Sequence, residues 1–189
     1  MFEYLSGKLA SLTAATAVID CGGVGYLLEI SLSTYSAIQS RDEVRLWVHE
    51  VVREDAYQLY GFYTQSEREM FRLLIGVSGV GAATARMMLS SLSVDELTSA
   101  IASQDDKMLK RVKGVGAKTA QRIVLELQDK VGAVPSSIAP TAAVSRSKDE
   151  ALSALVMLGF PKAAADKVLQ SLDATLTVEE LIKQALQKL

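Results

Sequence analysis

The chain has 189 residues, with 20 Lys or Arg, 22 Asp or Glu and one His, for a formal net charge of -2 at pH 7. At 49% hydrophobic and 22% charged residues it is globular in composition and not disordered. The slight acidic excess excludes a histone-like or polybasic protein that grips nucleic acid by bulk charge, and no apolar run approaches the roughly 20 residues of a membrane helix.

The N-terminal third reads as strands. Nine of the 11 aromatic residues fall within residues 1–63, and aromatic and β-branched enrichment favours a pleated surface. Val18-Ile19-Asp20 followed by Gly22-Gly23-Val24-Gly25 reads as strand, turn, strand. Val44-Arg45-Leu46-Trp47-Val48 and Tyr57-Gln58-Leu59-Tyr60-Gly61-Phe62 alternate and are joined at Arg53-Glu54-Asp55. Five short strands in this span predict a small OB-type barrel over 1–63, with an SH3-like barrel as the alternative. Cys21 lies in an apolar run and is expected as a small buried hydrophobe, and a single cysteine excludes an internal disulfide. Met1-Phe2-Glu3 leads straight into strand-like sequence, so no secretory leader is expected and the compartment reads as cytosolic.

From Ser66 the period becomes helical. Helices are predicted over 66–75, 82–90, 94–102, 105–111 and 117–131, with capping boxes at Ser66/Glu69 and Ser93/Glu96. Residues 132–147 hold two of the three prolines among Ala, Ser and Thr and read as a flexible linker. Ser147/Glu150 and Thr177/Glu180 bound a predicted three-helix unit over 148–189, with Leu158-Gly159-Phe160-Pro161 as its first turn. The fold class expected is thus α+β and multidomain: an OB-type barrel over 1–63, an α-helical domain over 64–131, a linker over 132–147 and a small three-helix domain over 148–189.

An internal repeat is the most informative motif. Leu74–Ala85 lies over Leu109–Ala120 at an offset of 35 residues, with eight of 12 positions identical. Both copies run from an apolar helix end into Gly-Val-Gly and then into a new helix. Glycine admits positive φ and lets another backbone come close. The valine can plug the gap between the helices, and the unpaired amides opening the second helix suit a phosphate. A phosphate-binding P-loop fails on spacing, because Gly116-Ala117-Lys118-Thr119 inserts an alanine. The dinucleotide fingerprint fails because neither copy has its third glycine or a preceding strand. No nucleotide, metal or other cofactor is expected; His49, the only histidine, has no ligand set around it and reads as an ordinary strand residue.

Charge is sorted along the chain. Residues 1–63 carry 4 basic and 8 acidic side chains, residues 64–132 carry 10 and 8, and residues 133–189 carry 6 and 6. Lys107, Lys110, Arg111, Lys113, Lys118 and Arg122 put +6 on residues 107–122 without one acid. A charge run by itself is usually a solvated face. Its coincidence with an anion-suited backbone favours phosphate contact. Glu54 and Asp55 sit at the predicted tip of a β-hairpin, where carboxylates can equally be ordinary solvated turn residues. Trp47 and the barrel tyrosines could stack on bases, but a barrel of net charge -4 does not suit tracking a backbone, so core packing and subunit contacts are expected of them.

The paired Gly-Val-Gly segments resemble helix-hairpin-helix motifs. Val51-Val52-Arg53-Glu54-Asp55-Ala56, Leu59-Tyr60-Gly61-Phe62, Gly22-Gly23-Val24-Gly25-Tyr26 and Ala154-Leu155-Val156-Met157-Leu158-Gly159-Phe160 are similar to segments of the RuvA family, the junction-binding subunits of the bacterial branch-migration machinery. The resemblance covers essentially the whole chain and only the linker is unspecific. It implies a non-catalytic subunit of an ATP-dependent helicase complex that acts in recombination and repair of damaged DNA. Four copies, or eight on DNA, would hold a four-way (Holliday) junction open and flat. Its implied partners are junction DNA, the hexameric ATPase RuvB and the resolvase RuvC.

The resemblance also implies site residues. Glu54 and Asp55 match an acidic pin that separates strands at the crossover. Gly79, Val80, Gly81, Gly114, Val115 and Gly116 match the phosphate-binding turns, with Lys118 and Arg122 adding charge and Arg86, Lys110 and Lys113 as further candidates. One departure stands out: the family often has a lysine soon after the first Gly-Val-Gly, whereas this chain has Ala82-Ala83-Thr84 and then Arg86. Leu158, Phe160, Leu169 and Leu172 are the candidate motor contacts within an apolar set that must mostly form a small core.

Two other classes stay open on sequence. A helix-hairpin-helix glycosylase would need an Asp well beyond a hairpin, and Asp129 stands too close with no second catalytic group. The C-terminal unit also resembles ubiquitin-associated domains, which leaves a pure protein adaptor conceivable.

Overall fold

The computed structural model describes residues 1–133, 143–173 and 176–188. The chain divides into two compact units, Met1–Ser137 and Ile138–Leu189.

The first unit opens with strands β1 (Tyr4–Leu12), β2 (Thr16–Cys21), β3 (Val24–Ile30), β4 (Glu43–Val52) and β5 (Tyr57–Phe62). They close into a barrel in the order β1-β2-β3-β5-β4. Every pairing is antiparallel except β3 with β5, which is parallel. This is the OB-type barrel expected, in which closure removes the exposed sheet edges. The β2–β3 turn is tight because Gly22 and Gly23 both take positive φ, +67° and +93°.

Alternation along β4 explains how the barrel positions its neighbours. Val44, Leu46 and Val48 point into the barrel core with Leu5, Ile19, Leu28 and Ile30. Trp47 and Val51 turn the other way and pack against the core of the helical region, as do Tyr60 and Phe62 of β5. The aromatic strand face is therefore spent largely on packing. Phe71 of the first long helix meets Phe62 at 4.9 Å, Tyr60 at 5.0 Å and His49 at 5.5 Å between ring centroids. The outer face of β4 and β5 thus joins the helical core, while the barrel keeps a core of its own.

A short helix, α1 (Leu32–Ile38), joins β3 to β4 and was not expected from sequence. Ser31 caps it by accepting from the Thr34 N–H at 3.0 Å, and Ile38 closes the barrel core. Seven residues rich in Ser, Thr and Tyr carry little helical period of their own, so tertiary burial decides this segment. Cys21 is half-buried and not fully buried as expected, with Sγ 3.5 Å from the Ser6 carbonyl.

The helical part comprises α2 (Gln65–Ile75), α3 (Ala82–Ser91), α4 (Val94–Ala102), α5 (Asp106–Leu109) and α6 (Ala117–Leu127), then a 3-10 turn at Val131–Ala133. The capping box of α2 is Thr64 with Glu67, not Ser66 with Glu69. Both are S/T-x-x-E patterns two residues apart, and the earlier one wins because Glu67 is buried where it also accepts from the Tyr63 N–H and the Thr34 hydroxyl. Burial pushes the Glu67 carboxyl above its ordinary range, and the hydrogen bonds it accepts work against that shift. Ser93/Glu96 caps α4 as expected. Both α5 and α6 are shorter than expected, α6 ending at Leu127 and not residue 131.

Arg68 of α2, 2% exposed, ties the helical part to the barrel. It donates to Glu3 Oε1 at 2.7 Å, to the Glu3 carbonyl at 3.0 Å and to Glu69 Oε1 at 3.2 Å, with its guanidinium 4.9 Å from the Trp47 ring centre. A buried guanidinium needs such partners to offset its lost hydration. The same contact holds the Glu3 carboxyl below its usual range.

The second unit contains α7 (Ala143–Met157), α8 (Lys162–Gln170) and α9 (Val178–Leu186) around Ala151, Leu155, Ala165, Leu169, Leu172, Leu181 and Ala185. Its first turn is where the sequence places it: Gly159 takes φ +96° and the Phe160 N–H donates to the Leu155 carbonyl at 3.1 Å. Thr177/Glu180 caps α9. Ser147 does not start α7, because the backbone is already helical from Ala143. That converts residues 143–147 of the expected linker into helix, while residues 134–142 lie outside the described residues.

Candidate nucleic-acid interface

The two repeat copies fold alike. In the first, the Val77 N–H donates to the Leu74 carbonyl at 3.1 Å and the Val80 N–H to the Val77 carbonyl at 3.0 Å. In the second, Val112 donates to Leu109 and Val115 to Val112, each at 3.1 Å. Gly79 and Gly114 take φ +90° and +94°, which only glycine adopts without strain. Val80 and Val115 are buried at 5% and 6% exposure, plugging each hairpin as expected. Gly81 and Gly116 then open α3 and α6 with nearly equal backbone angles, φ -87° and -81°, ψ 168° and 169°.

Neither helix start has a side-chain cap. The first-turn amides therefore keep their donor capacity and the positive end of the helix dipole. Gly81 and Gly116 differ from Gly79 and Gly114 in having negative φ. Their φ values suit any residue, and a Cβ on either would meet nothing within 4 Å. Neither backbone strain nor internal packing calls for glycine there. A ligand backbone approaching from outside would.

The basic side chains divide. Lys110, Lys113, Lys118 and Arg122 are exposed around the second hairpin. Arg122 also reaches the first hairpin, with Nη1 3.3 Å from Ser78 Oγ and 3.5 Å from the Ser78 carbonyl. Arg86 faces the barrel instead. It pairs with Glu29 at 3.2 Å and donates to the carbonyls of Ala15 at 3.0 Å and Ile30 at 3.5 Å. Its charge is already engaged, so apart from Arg122 what the first hairpin offers an anion is its backbone amides.

Glu54 and Asp55 occupy the two turn positions of the β4–β5 hairpin, both exposed, beyond a closing bond from the Arg53 N–H to the Ala56 carbonyl at 2.8 Å. The strands bring them together at one tip as the sequence indicates.

In the second unit the candidate motor contacts separate. Leu169 and Leu172, 2% and 7% exposed, are core residues and not surface ones: in so small a unit nearly every periodic leucine is needed inside. Phe160 packs half-buried against that core, and Leu158 is 62% exposed. Met157 and Val156, which the sequence did not single out as motor contacts, are 89% and 42% exposed. Their position at the end of α7, past the last buried Leu155, is the signal that could have found them.

Comparison with known proteins agrees along the chain. The family model for the RuvA N terminal domain matches residues 1–61, a SAM-like helix-hairpin-helix tandem matches 71–129, and the RuvA C-terminal domain matches 147–189. Proteins named Holliday junction branch migration complex subunit RuvA from Bacteroides thetaiotaomicron and Christiangramia forsetii are 47% and 49% identical, each aligned over 100% of both chains. The corresponding protein of Flavobacterium psychrophilum is 45% identical over the same full extent. With family models spanning barrel, hairpins and C-terminal unit in order, and full-length relatives near half identity, the chain belongs to the RuvA family.

Proposed function

We propose that the chain binds four-way (Holliday) junction DNA through its backbone phosphates, holds the junction open and serves as the non-catalytic subunit of a branch-migration complex. The observation that carries this reading is the duplicated turn. Two helix N-termini without side-chain caps are each preceded by a glycine that leaves the first-turn amides open to an outside ligand. Such contacts read backbone and not sequence. The exposed lysines of the second hairpin add affinity that falls steeply with salt.

Glu54 and Asp55 supply the selectivity. Two carboxylates beside DNA phosphates oppose an intact duplex and are tolerated where strands have parted, which disfavours the wrong ligand as much as it favours the right one. Four copies around the crossover, alone or faced by a second set of four, would bring four such tips to one centre.

The motor partner is RuvB, a hexameric ATPase, docking on the second unit, with the resolvase RuvC joining the same complex. Exposed Val156, Met157 and Leu158 support a docking patch there, since three consecutive exposed apolar residues on a small unit favour a protein partner. Among the described residues no helix is long and apolar enough to cross a membrane, and a cytoplasmic location fits a DNA ligand.

A gel-shift titration of a four-way junction against linear duplex of equal length tests this reading. Preference for the junction at physiological salt supports it, and equal affinity overturns it. Removing residues 143–189 should preserve junction binding and abolish stimulation of the motor.

A further inference from the structure

The hairpin that carries Glu54 and Asp55 has a second surface which their charge does not explain. Val52 and Tyr57 are direct cross-strand partners at the outer end of β4 and β5. Both are exposed, at 69% and 58%. Residues directly opposite one another stand on the same face of a ribbon. An aliphatic and an aromatic side chain thus lie together, separated from the two-carboxylate turn only by the Arg53/Ala56 pair. Tyr57 departs in this from Tyr60 and Phe62 of its own strand, which are buried, and from Trp47 of β4, which packs on the helical core.

Tyr57 is also held. Its hydroxyl donates to Glu50 Oε2 at 3.1 Å. Glu50 in turn accepts from the Phe2 N–H through Oε1, and the N-terminal ammonium lies 3.7 Å from that same oxygen. The polar end of the ring is therefore committed, and what it offers outward is apolar surface at a fixed place. A preorganised ring loses little freedom when something flat settles on it.

Charge selects the occupant. Carboxylates at the tip keep phosphates away from this end of the hairpin, while exposed Arg53 can take one at the flank. A base freed from its partner is flat and uncharged, and an aromatic face accepts any base. The loop joining β4 and β5 is also one of the loops through which OB-type barrels meet oligonucleotides.

We propose that Tyr57, backed by Val52, is a stacking platform for an unpaired base at the junction crossover, so that the acidic tip parts the strands and the ring receives a base once parted. The proposal rests on the junction-binding reading above, and the test separates the two.

Junctions carrying 5-iododeoxyuridine either at a crossover nucleotide or midway along an arm are bound by the full chain and irradiated with long-wavelength ultraviolet light. Adducts are then mapped by peptide mass spectrometry. The expected result is an adduct on Tyr57 from the crossover position alone, retained in Tyr57→Phe and lost in Tyr57→Ala. Tyr57→Ala should also weaken junction binding by about tenfold and leave linear-duplex binding and solution mass unchanged. A chain that prefers the junction but gives no Tyr57 adduct overturns the stacking role alone. Tyr57→Ala lowering the mass of the DNA-free assembly would place a second copy on this face and overturn it too. A chain with no junction preference overturns both readings.

Discussion

Arg122, on the helix that follows the second hairpin, donates to Ser78 in the turn of the first, at 3.3 Å to Oγ and 3.5 Å to the carbonyl. At the 35-residue offset Arg122 matches Met87 and Ser78 matches Lys113, so the reciprocal bond has no side-chain donor to form it. The hairpins are equal in backbone and unequal in side chains. Arg122→Ala should speed amide exchange in residues 76–81 by about threefold, the effect of losing one modest exposed hydrogen bond. Arg122→Lys should restore charge but not the planar fork. Hydrogen–deuterium exchange checks this, and an unchanged rate in Arg122→Ala would show that the tie is not populated in solution.

The glycines of the second turn should respond differently to one substitution. Gly114→Val places a branched residue at φ +94° and should destabilise the fold by about 1–3 kcal/mol. At Gly116 the φ strains no residue and a Cβ meets nothing within 4 Å, so Gly116→Val should lower the thermal midpoint less than Gly114→Val, by only the lost preference for glycine at a helix cap. Its DNA binding should nevertheless fall further than that of Lys118→Ala, because bulk keeps the phosphate from every amide of the turn whereas the lysine is one charge among several. Thermal melts and binding titrations on the three variants decide it. Normal binding by folded Gly116→Val would refute the amide site.

Changing Glu54→Gln together with Asp55→Asn removes the repulsion at the hairpin tip. The double variant should bind the junction as well as before or better, and should bind linear duplex several-fold more tightly. Competitive titration of both DNA forms measures the selectivity ratio. A variant that binds duplex no better than the unaltered chain would contradict the pin role.

His49 links stability to pH. Burial against Phe71 holds its pKa below the ordinary value of 6.5, reinforced by the positive charges of Arg72 and Arg68 and opposed by Glu50 and Glu69. A base with a depressed folded pKa takes up its proton more readily in the unfolded chain. Its contribution is complete above pH 6.5 and declines as pH falls below that value towards the folded pKa. Melting between about pH 7 and pH 5 should therefore show a falling midpoint, with a shallower fall in His49→Phe. Equal slopes in both proteins would assign the dependence to other groups.

Much of this was legible from the sequence because the strongest signals were local. The 35-residue repeat, the glycine pair at the β2–β3 turn, Ser93/Glu96, Thr177/Glu180 and the Glu54-Asp55 tip each depend on neighbours within a few residues. What escaped depends on distant ones. The α1 segment becomes helical because Ile38 completes the barrel core. The α2 cap moves to Thr64 because Glu67 finds buried donors across the chain. Arg68 is counted as one of many charges until Glu3, 65 positions earlier, is seen beside it. Leu169 and Leu172 share a period with Leu158, and only burial sorts core from surface. The exposed ring of Tyr57 was masked by strand aromatics that do pack.

Hairpins that grip the backbone and acidic tips that select an open centre together predict binding that is selective for structure and blind to sequence. The most direct test is equilibrium competition against a labelled four-way junction at physiological salt, using unlabelled junctions of unrelated sequence and linear duplexes of matched length. The expected result is displacement by every junction alike and by duplex only at far higher concentration. Displacement by duplex at the same concentration, or by junctions of one sequence alone, would contradict it.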